Sequence, residues 1–144
     1  MTPNTLPEFD LEKYLPYRLT VLAARLSMDM AQQYKSEFGI SIPEWRVLVN
    51  IGYAENLSVR DIEKRVSLEK SMVSRAAARL EARGLVSKTV DTKDRRLVKL
   101  ELTEEGALVL GKLIPIASAF QADLERKLGA EKDALFSALD RLAD

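Results

Sequence analysis

The sequence predicts a mainly α-helical fold that carries one small β-hairpin. Three observations predict it. Apolar residues recur at helical spacing near both ends of the chain: Leu15, Leu19, Leu22, Leu26 and Met30, then Leu113, Ile116, Phe120, Leu124 and Leu128, with Leu135, Leu139 and Leu142 beyond them. Two short helical patterns joined by a tight turn lie mid-chain, between Ser58 and Gly84. Directly after them, Val98, Leu100 and Leu102 alternate with Lys99 and Glu101, the period of a half-buried strand.

The first helix is expected over residues 11–35, behind a Pro-bearing N-terminal arm, with Pro16 in its first turn where a missing N–H costs little. "FGISIPEW" closes it at Gly39 and opens the next, since Ser41 and Glu44 have capping-box spacing and Pro43 suits a first turn. This second helix is expected to bury Trp45, Leu48, Val49, Gly52 and Tyr53. Ser58 and Asp61 repeat the capping pattern and open a short helix with Val59, Ile62 and Val66 inward. After "SLE", a helix from Lys70 to Arg83 turns Val73, Ala77 and Leu80 inward, and Gly84 stops it. Its outward residues are Lys70, Ser71, Ser74, Arg75, Ala78 and Arg79. Small side chains on that face leave room to enter a major groove.

"LVSKTV" and "LVKLEL" then pair as a hairpin whose tip is "DTKDRR", residues 91–96. A helix-turn-helix followed at once by a basic hairpin is a winged helix. A long helix follows from Thr103, with Glu104 and Glu105 in its favourable first turn and Pro115 expected to bend it. Gly129 separates it from a last helix, apolar at Leu135, Phe136, Leu139 and Leu142. The terminal stripes exceed what one small winged helix can cover, so they either pack into a single larger core or bury against a second copy of the chain, and the second is expected. The organisation read from this is an N-terminal dimerisation helix over 1–40, a winged helix-turn-helix over 41–103 and C-terminal dimerisation helices over 104–144.

Composition narrows the function. The 144 residues contain no Cys and no His, which removes thiolate chemistry, the commonest general base and the commonest transition-metal ligand. Neither a Gly-rich phosphate loop nor a calcium-loop spacing occurs, so neither an enzyme nor a metal or cofactor site is expected. No apolar run approaches the roughly 20 residues of a membrane-spanning helix, and the polar, acidic N-terminus is unlike a signal peptide; a cytoplasmic location without membrane contact is the default. The formal net charge is zero, yet Val59 to Lys99 holds twelve Lys/Arg against six Asp/Glu, a local surplus of six. That asymmetry fits either a nucleic-acid-facing middle or a merely solvated basic face.

The residues "SLEKSMVSRAAARLEARGLVSKTVDTKDRRLVKLELTEEG" resemble the signature region of the MarR family of bacterial transcription regulators. The matching pieces are Ser71-Met72-Val73-Ser74-Arg75, Leu80-Glu81-Ala82-Arg83-Gly84-Leu85-Val86, Asp91-Thr92-Lys93-Asp94-Arg95-Arg96 and Leu102-Thr103-Glu104-Glu105-Gly106. Lys93 departs from the pattern, which usually has Arg there; a Lys keeps the charge but loses the bidentate fork, so a brace made by it would be looser. The resemblance implies a homodimer with interleaved terminal helices, two winged helices beneath, and a pseudo-palindromic double-stranded DNA operator.

On the recognition helix, Ser71, Ser74 and Arg75 are the expected major-groove residues, and Arg75 can grip guanine O6 and N7 or, less specifically, a phosphate. Lys70 and Arg79 fit phosphate contacts, and Arg83 could equally cap the last carbonyls of its own helix. By resemblance, Lys93, Arg95 and Arg96 belong to the DNA-facing wing. Arg95 is its minor-groove arginine, and Arg96 with Asp91 or Asp94 braces the loop; an exposed, unbraced loop is the plainer alternative. The family also implies a small-ligand crevice, for which Tyr17, Arg18, Arg25, Trp45 and Tyr53 are candidates. Trp45 and Tyr53 also read as plain core, while Arg18 and Arg25, seven apart, share a face that suits a carboxylate. A phenolic or aromatic acid, or its CoA thioester, is the ligand class expected. The leading function is a ligand-responsive repressor; the alternative is a winged-helix protein-interaction module without sequence-specific DNA binding.

Overall fold

The computed structural model describes residues 5–53, 58–66 and 70–144. The linking residues 54–57 and 67–69, and the side chains of Val66 and Lys70, lie outside the described residues. A short 3-10 turn at Leu11–Lys13 leads into α1 (Leu15–Phe38), α2 (Ile42–Tyr53), α3 (Val59–Val66) and α4 (Lys70–Ala82). Strands β1 (Val86–Val90) and β2 (Val98–Leu102) follow, then α5 (Glu104–Leu128), a second 3-10 turn and α6 (Lys132–Ala143).

Local chemistry sets these boundaries. Pro16 lies in the first turn of α1, and Gly39 ends the helix at φ +64°, its N–H donating to the Lys35 carbonyl at 2.9 Å. Both predicted capping boxes form. Ser41 N–H donates to the Glu44 carboxylate at 3.1 Å while Glu44 N–H donates to Ser41 Oγ at 3.3 Å; Ser58 and Asp61 exchange the same two bonds at 3.1 Å each. At the end of α4, Gly84 takes φ +74° and Leu85 N–H reaches back to the Leu80 carbonyl at 2.9 Å, a left-handed closure that suits glycine.

The core lies where α2, α3, α4 and the hairpin meet the last third of α1 and the first third of α5. Tyr34, Ile40, Val47, Leu48, Ile62, Val73, Ala76, Ala77, Leu80, Leu100 and Leu113 are buried there. The inward positions expected on α4 are correct, with Ala76 added. On α2 the expectation needs correcting: the buried face is Glu44, Val47, Leu48 and Ile51, while Trp45 and Val49 are half-buried and Tyr53 is 68% exposed. The buried stripe is rotated by about one residue from the expected one, on a helix that packs against both α4 and α3. Gly52 sits where a Cβ would strike the Leu110 side chain of α5.

The hairpin is antiparallel, with Val86 opposite Leu102 and Val90 opposite Val98. Ser58 forms an isolated bridge with Lys99, which joins the start of α3 to the wing. Thr103 knits the next junction: its hydroxyl donates to the Gly84 carbonyl at 2.6 Å and accepts from Gly106 N–H at 3.0 Å, while its own N–H donates to the Leu85 carbonyl at 3.1 Å. A Cβ on Gly106 would collide with that Leu85 carbonyl, so glycine is what lets α5 abut the end of α4.

Helix α5 runs unbroken through Pro115. Together α5 and α6 contain an 18-residue window of mean hydropathy 1.4, long and apolar enough by composition to cross a membrane. The core helix of a soluble protein passes the same test of length and composition. Helix α5 sends Gly106, Leu110 and Leu113 into the core. The outer ends stay open: Leu15 is 51% exposed, Leu22 44%, Phe136 45% and Leu142 59%.

Candidate nucleic-acid interface

The outer face of α4 is made of small and polar side chains. Ser71, Ser74, Arg75 and Ala78 are exposed while Val73, Ala76 and Ala77 anchor the opposite face. Among the described residues no hydrogen bond or ion pair holds Arg75, so its guanidinium is uncommitted. Arg79, one turn further on, has a different setting: its Nε lies 3.9 Å from the Glu44 carboxylate. Arg83 does not cap its own helix. It donates to the carbonyls of Phe38 at 2.8 Å and Gly39 at 3.2 Å, the end of α1, and its Nη1 is 3.9 Å from Glu44.

The wing tip is braced by its aspartates. Asp91 accepts from the backbone N–H of Lys93 at 2.7 Å and of Asp94 at 3.1 Å, and its carboxylate lies 3.8 Å from Lys99 Nζ. Asp94 takes Arg96 in a forked contact at 3.1 and 3.4 Å and also accepts the Arg96 N–H at 3.1 Å. The brace is therefore Arg96 with Asp94, one of the two pairings expected. The Lys93 side chain plays no part in it: the loop holds that residue by its backbone, and among the described residues no ion pair engages its ammonium. Arg95 is exposed, and among the described residues no hydrogen bond or ion pair holds it either.

These contacts set the carboxyl pKa values. Asp91 is held below the ordinary aspartate range by the Lys93 and Asp94 N–H groups, and Asp94 by the Arg96 side chain and N–H. Asp61 is lowered by its cap on Ser58. Each folded-state value lies below the unfolded one, so the stabilisation is complete above the ordinary aspartate range and is lost only as pH falls through the depressed values. The braces persist at neutral pH.

A cleft of about 290 Å³ separates α4 from the wing, lined by Arg60, Ser74, Lys88, Arg96 and Val98 among others. Arg60 and Lys88 join the basic face here, and the sequence reading did not single them out. What brings Arg60 to the wing is the Ser58–Lys99 bridge, a contact across some forty residues that leaves no local signal.

A second, larger cavity of about 550 Å³ opens between α1, α2 and α5. Its lining includes Met30 and Tyr34 from α1, Trp45 and Arg46 from α2, and Ile114, Phe120 and Glu125 from α5. Tyr34 and Trp45 stack with centroids 5.7 Å apart, and Arg46 donates to Ser27 Oγ at 3.3 Å. Burial pushes the Tyr34 hydroxyl pKa up, partly offset by the Arg46 charge. Of the five residues expected at a ligand crevice, Trp45 alone lines this cavity. Tyr17, Arg18, Arg25 and Tyr53 are exposed and outside it; Arg18 instead donates to the Glu12 carbonyl at 3.4 Å. Arg46 is the cation the sequence reading missed.

Comparison with known proteins follows the same outline. The family model described as "MarR family" matches residues 38–97. The organic hydroperoxide resistance transcriptional regulator of Bacillus subtilis (strain 168) is 29% identical over 140 residues, 95% of this chain and 94% of that protein. The crystal structure of a MarR/EmrR family transcriptional regulator from Acinetobacter sp. ADP1 superposes with a TM-score of 0.84 at 27% identity, covering 94% of this chain and 96% of that one. The PcaV transcriptional regulator from Streptomyces coelicolor, solved with its natural ligand, superposes with a TM-score of 0.73 at 26% identity over 96% of both chains.

Proposed function

The chain belongs to the MarR family of transcriptional regulators, and from that premise we propose that it is a sequence-specific, duplex-DNA-binding, ligand-responsive repressor. It acts as a homodimer on a pseudo-palindromic operator, in the cytoplasm where that operator is. The observation that carries this reading is the pairing of uncommitted Arg75 on a small-residue helix face with uncommitted Arg95 at a braced wing tip. Arg75, with Ser71 and Ser74, reads the major groove; Arg95 enters the adjacent minor groove, where a narrow A·T-rich tract concentrates negative potential. Lys70, Lys93 and Arg60 supply phosphate contacts, which fix register without reading sequence. Helices α1, α5 and α6 form the dimer body, which brings the exposed Leu15, Leu22, Phe136 and Leu142 out of water.

The test is duplex binding across a salt series. Log affinity should fall linearly with log salt, with a slope of about −0.9 for each phosphate neutralised, and several are expected per dimer. A flat salt response, with capture of an acidic protein surface instead, would establish the protein-interaction module.

The cavity between α1, α2 and α5 is the proposed effector site, and its chemistry selects an aromatic or phenolic acid. Trp45, Tyr34 and Phe120 offer ring faces, and Arg46 offers a cation to a carboxylate. The natural ligand bound to PcaV supports a ligand-responsive reading. With no Cys in the chain, thiol redox sensing is not available to it. Ligand favours a dimer whose recognition helices no longer match successive major grooves roughly 34 Å apart. Because Trp45 is the single Trp, its fluorescence reports occupancy directly. Titration with benzoate-type acids is expected to quench it, and Arg46→Ala to weaken the binding by about tenfold or more, the value of a hydrogen bond to a charged group. A calorimetric screen in which no aromatic acid binds, and none alters DNA binding, removes the effector assignment.

A further inference from the structure

Glu44 is a buried carboxylate, 6% exposed, with no part in the proposed DNA or ligand contacts. It caps α2 through the Ser41 N–H and faces Arg79 of α4 and Arg83 just past the end of that helix, each at 3.9 Å. The two are not equivalent. Arg83 is anchored independently by the Phe38 and Gly39 carbonyls, where the negative end of α1 favours a cation. Arg79 has no other hydrogen bond or ion pair among the described residues, is half exposed, and lies one turn from Arg75. If Arg79 leaves, the buried carboxylate still has the Arg83 charge beside it, so the departure strands nothing.

We propose that Glu44 is a positioning residue that competes with DNA phosphate for Arg79, holding that arginine against the protein until a duplex docks and takes it. Glu44 thereby sets the strength of one phosphate contact on each recognition helix. Its neighbours Ile42, Trp45 and Arg46 line the α1–α2–α5 cavity, so a shift of the first turn of α2 changes the hold on Arg79. The inference rests on the reading of α4 as the DNA-facing helix.

The experiment is a two-by-two comparison of duplex affinity for the full-length wild type, Glu44→Gln, Arg79→Gln and the double variant, across a salt series. Glutamine keeps the α2 cap, because an amide oxygen also accepts from the Ser41 N–H. Glu44→Gln is expected to tighten binding to a non-specific duplex about threefold, the scale of a half-exposed ion pair. Arg79→Gln is expected to lower the magnitude of the salt slope by about 0.9 per chain in both backgrounds and to cost more affinity in the Glu44→Gln background. Equal losses in the two backgrounds, or weaker binding by Glu44→Gln, overturns the proposal. In the wild type, the Arg79 side-chain Nε–H resonance should shift on adding duplex while that of Arg83 stays. An unmoved Arg79 signal overturns it too, whatever the fate of the variants. If wild type itself binds no duplex, the functional reading fails instead.

Discussion

Arg75→Ala is expected to weaken binding to the specific operator at least about tenfold while leaving the dimer and its stability unchanged. A bidentate grip on guanine is worth about 1–3 kcal/mol of discrimination, and tenfold lies well within that range. The substitution is clean for three reasons. The guanidinium has no partner among the described residues, so nothing in the fold is left unsatisfied when it goes. Alanine has the highest helix propensity, so α4 does not fray. The helix is held from its other face by Val73, Ala76, Ala77 and Leu80, all buried. The measurement is fluorescence anisotropy against the operator and a scrambled duplex of the same length, with thermal unfolding as the control. Loss confined to the operator marks Arg75 as a base-reading residue. Equal loss on both duplexes makes it a phosphate contact, and wild-type operator affinity refutes the recognition-helix assignment.

What the sequence made legible follows from the range of the interactions involved. Both capping boxes, the helix-ending glycines at 39 and 84 and the inward face of α4 depend on residues a few positions apart, and each was read correctly. Arg83 was misread because its partners, Phe38 and Gly39, are forty-five and forty-four residues away. Arg18 and Arg25 share a face of α1, as their spacing says, but spacing cannot say which face turns inward. Packing against α2 and α5 decides that, and it brings Leu26, Met30 and Tyr34 to the cavity instead. The Lys93 departure matters less than its motif suggested, because Asp91 engages a backbone N–H that any residue but proline supplies. The stiffness of the wing lies in Asp91, Asp94 and Arg96, which frees Lys93 and Arg95 to face outward.

The largest effect is expected from Leu139→Asp combined with Leu142→Asp on α6. Both side chains are exposed in the single chain, 40% and 59%, and they lie three residues apart on one helix face beside Leu135 and Phe136. Such a continuous apolar surface at the end of a chain whose opposite end also exposes Leu15, Leu19 and Leu22 is what two interleaved copies would bury. In a two-fold interface every substitution counts twice. Burying a leucine is worth roughly 1.5–3 kcal/mol, and four unpaired carboxylates would replace four leucines, so the loss is on the order of 6 kcal/mol or more. That shifts the monomer–dimer equilibrium by at least about ten-thousandfold. The winged-helix core contains neither residue, so helix content and the unfolding transition of the monomer should survive. Sedimentation should then fall from the dimer to the single-chain mass at micromolar concentration. Operator affinity should drop by about a hundredfold or more, since each winged helix is left to hold one half-site without the effective concentration its partner supplied. A variant that remains dimeric and binds the operator normally would mean that α6 is not the interface. The apolar stripe of α1 would then have to carry the dimer without it.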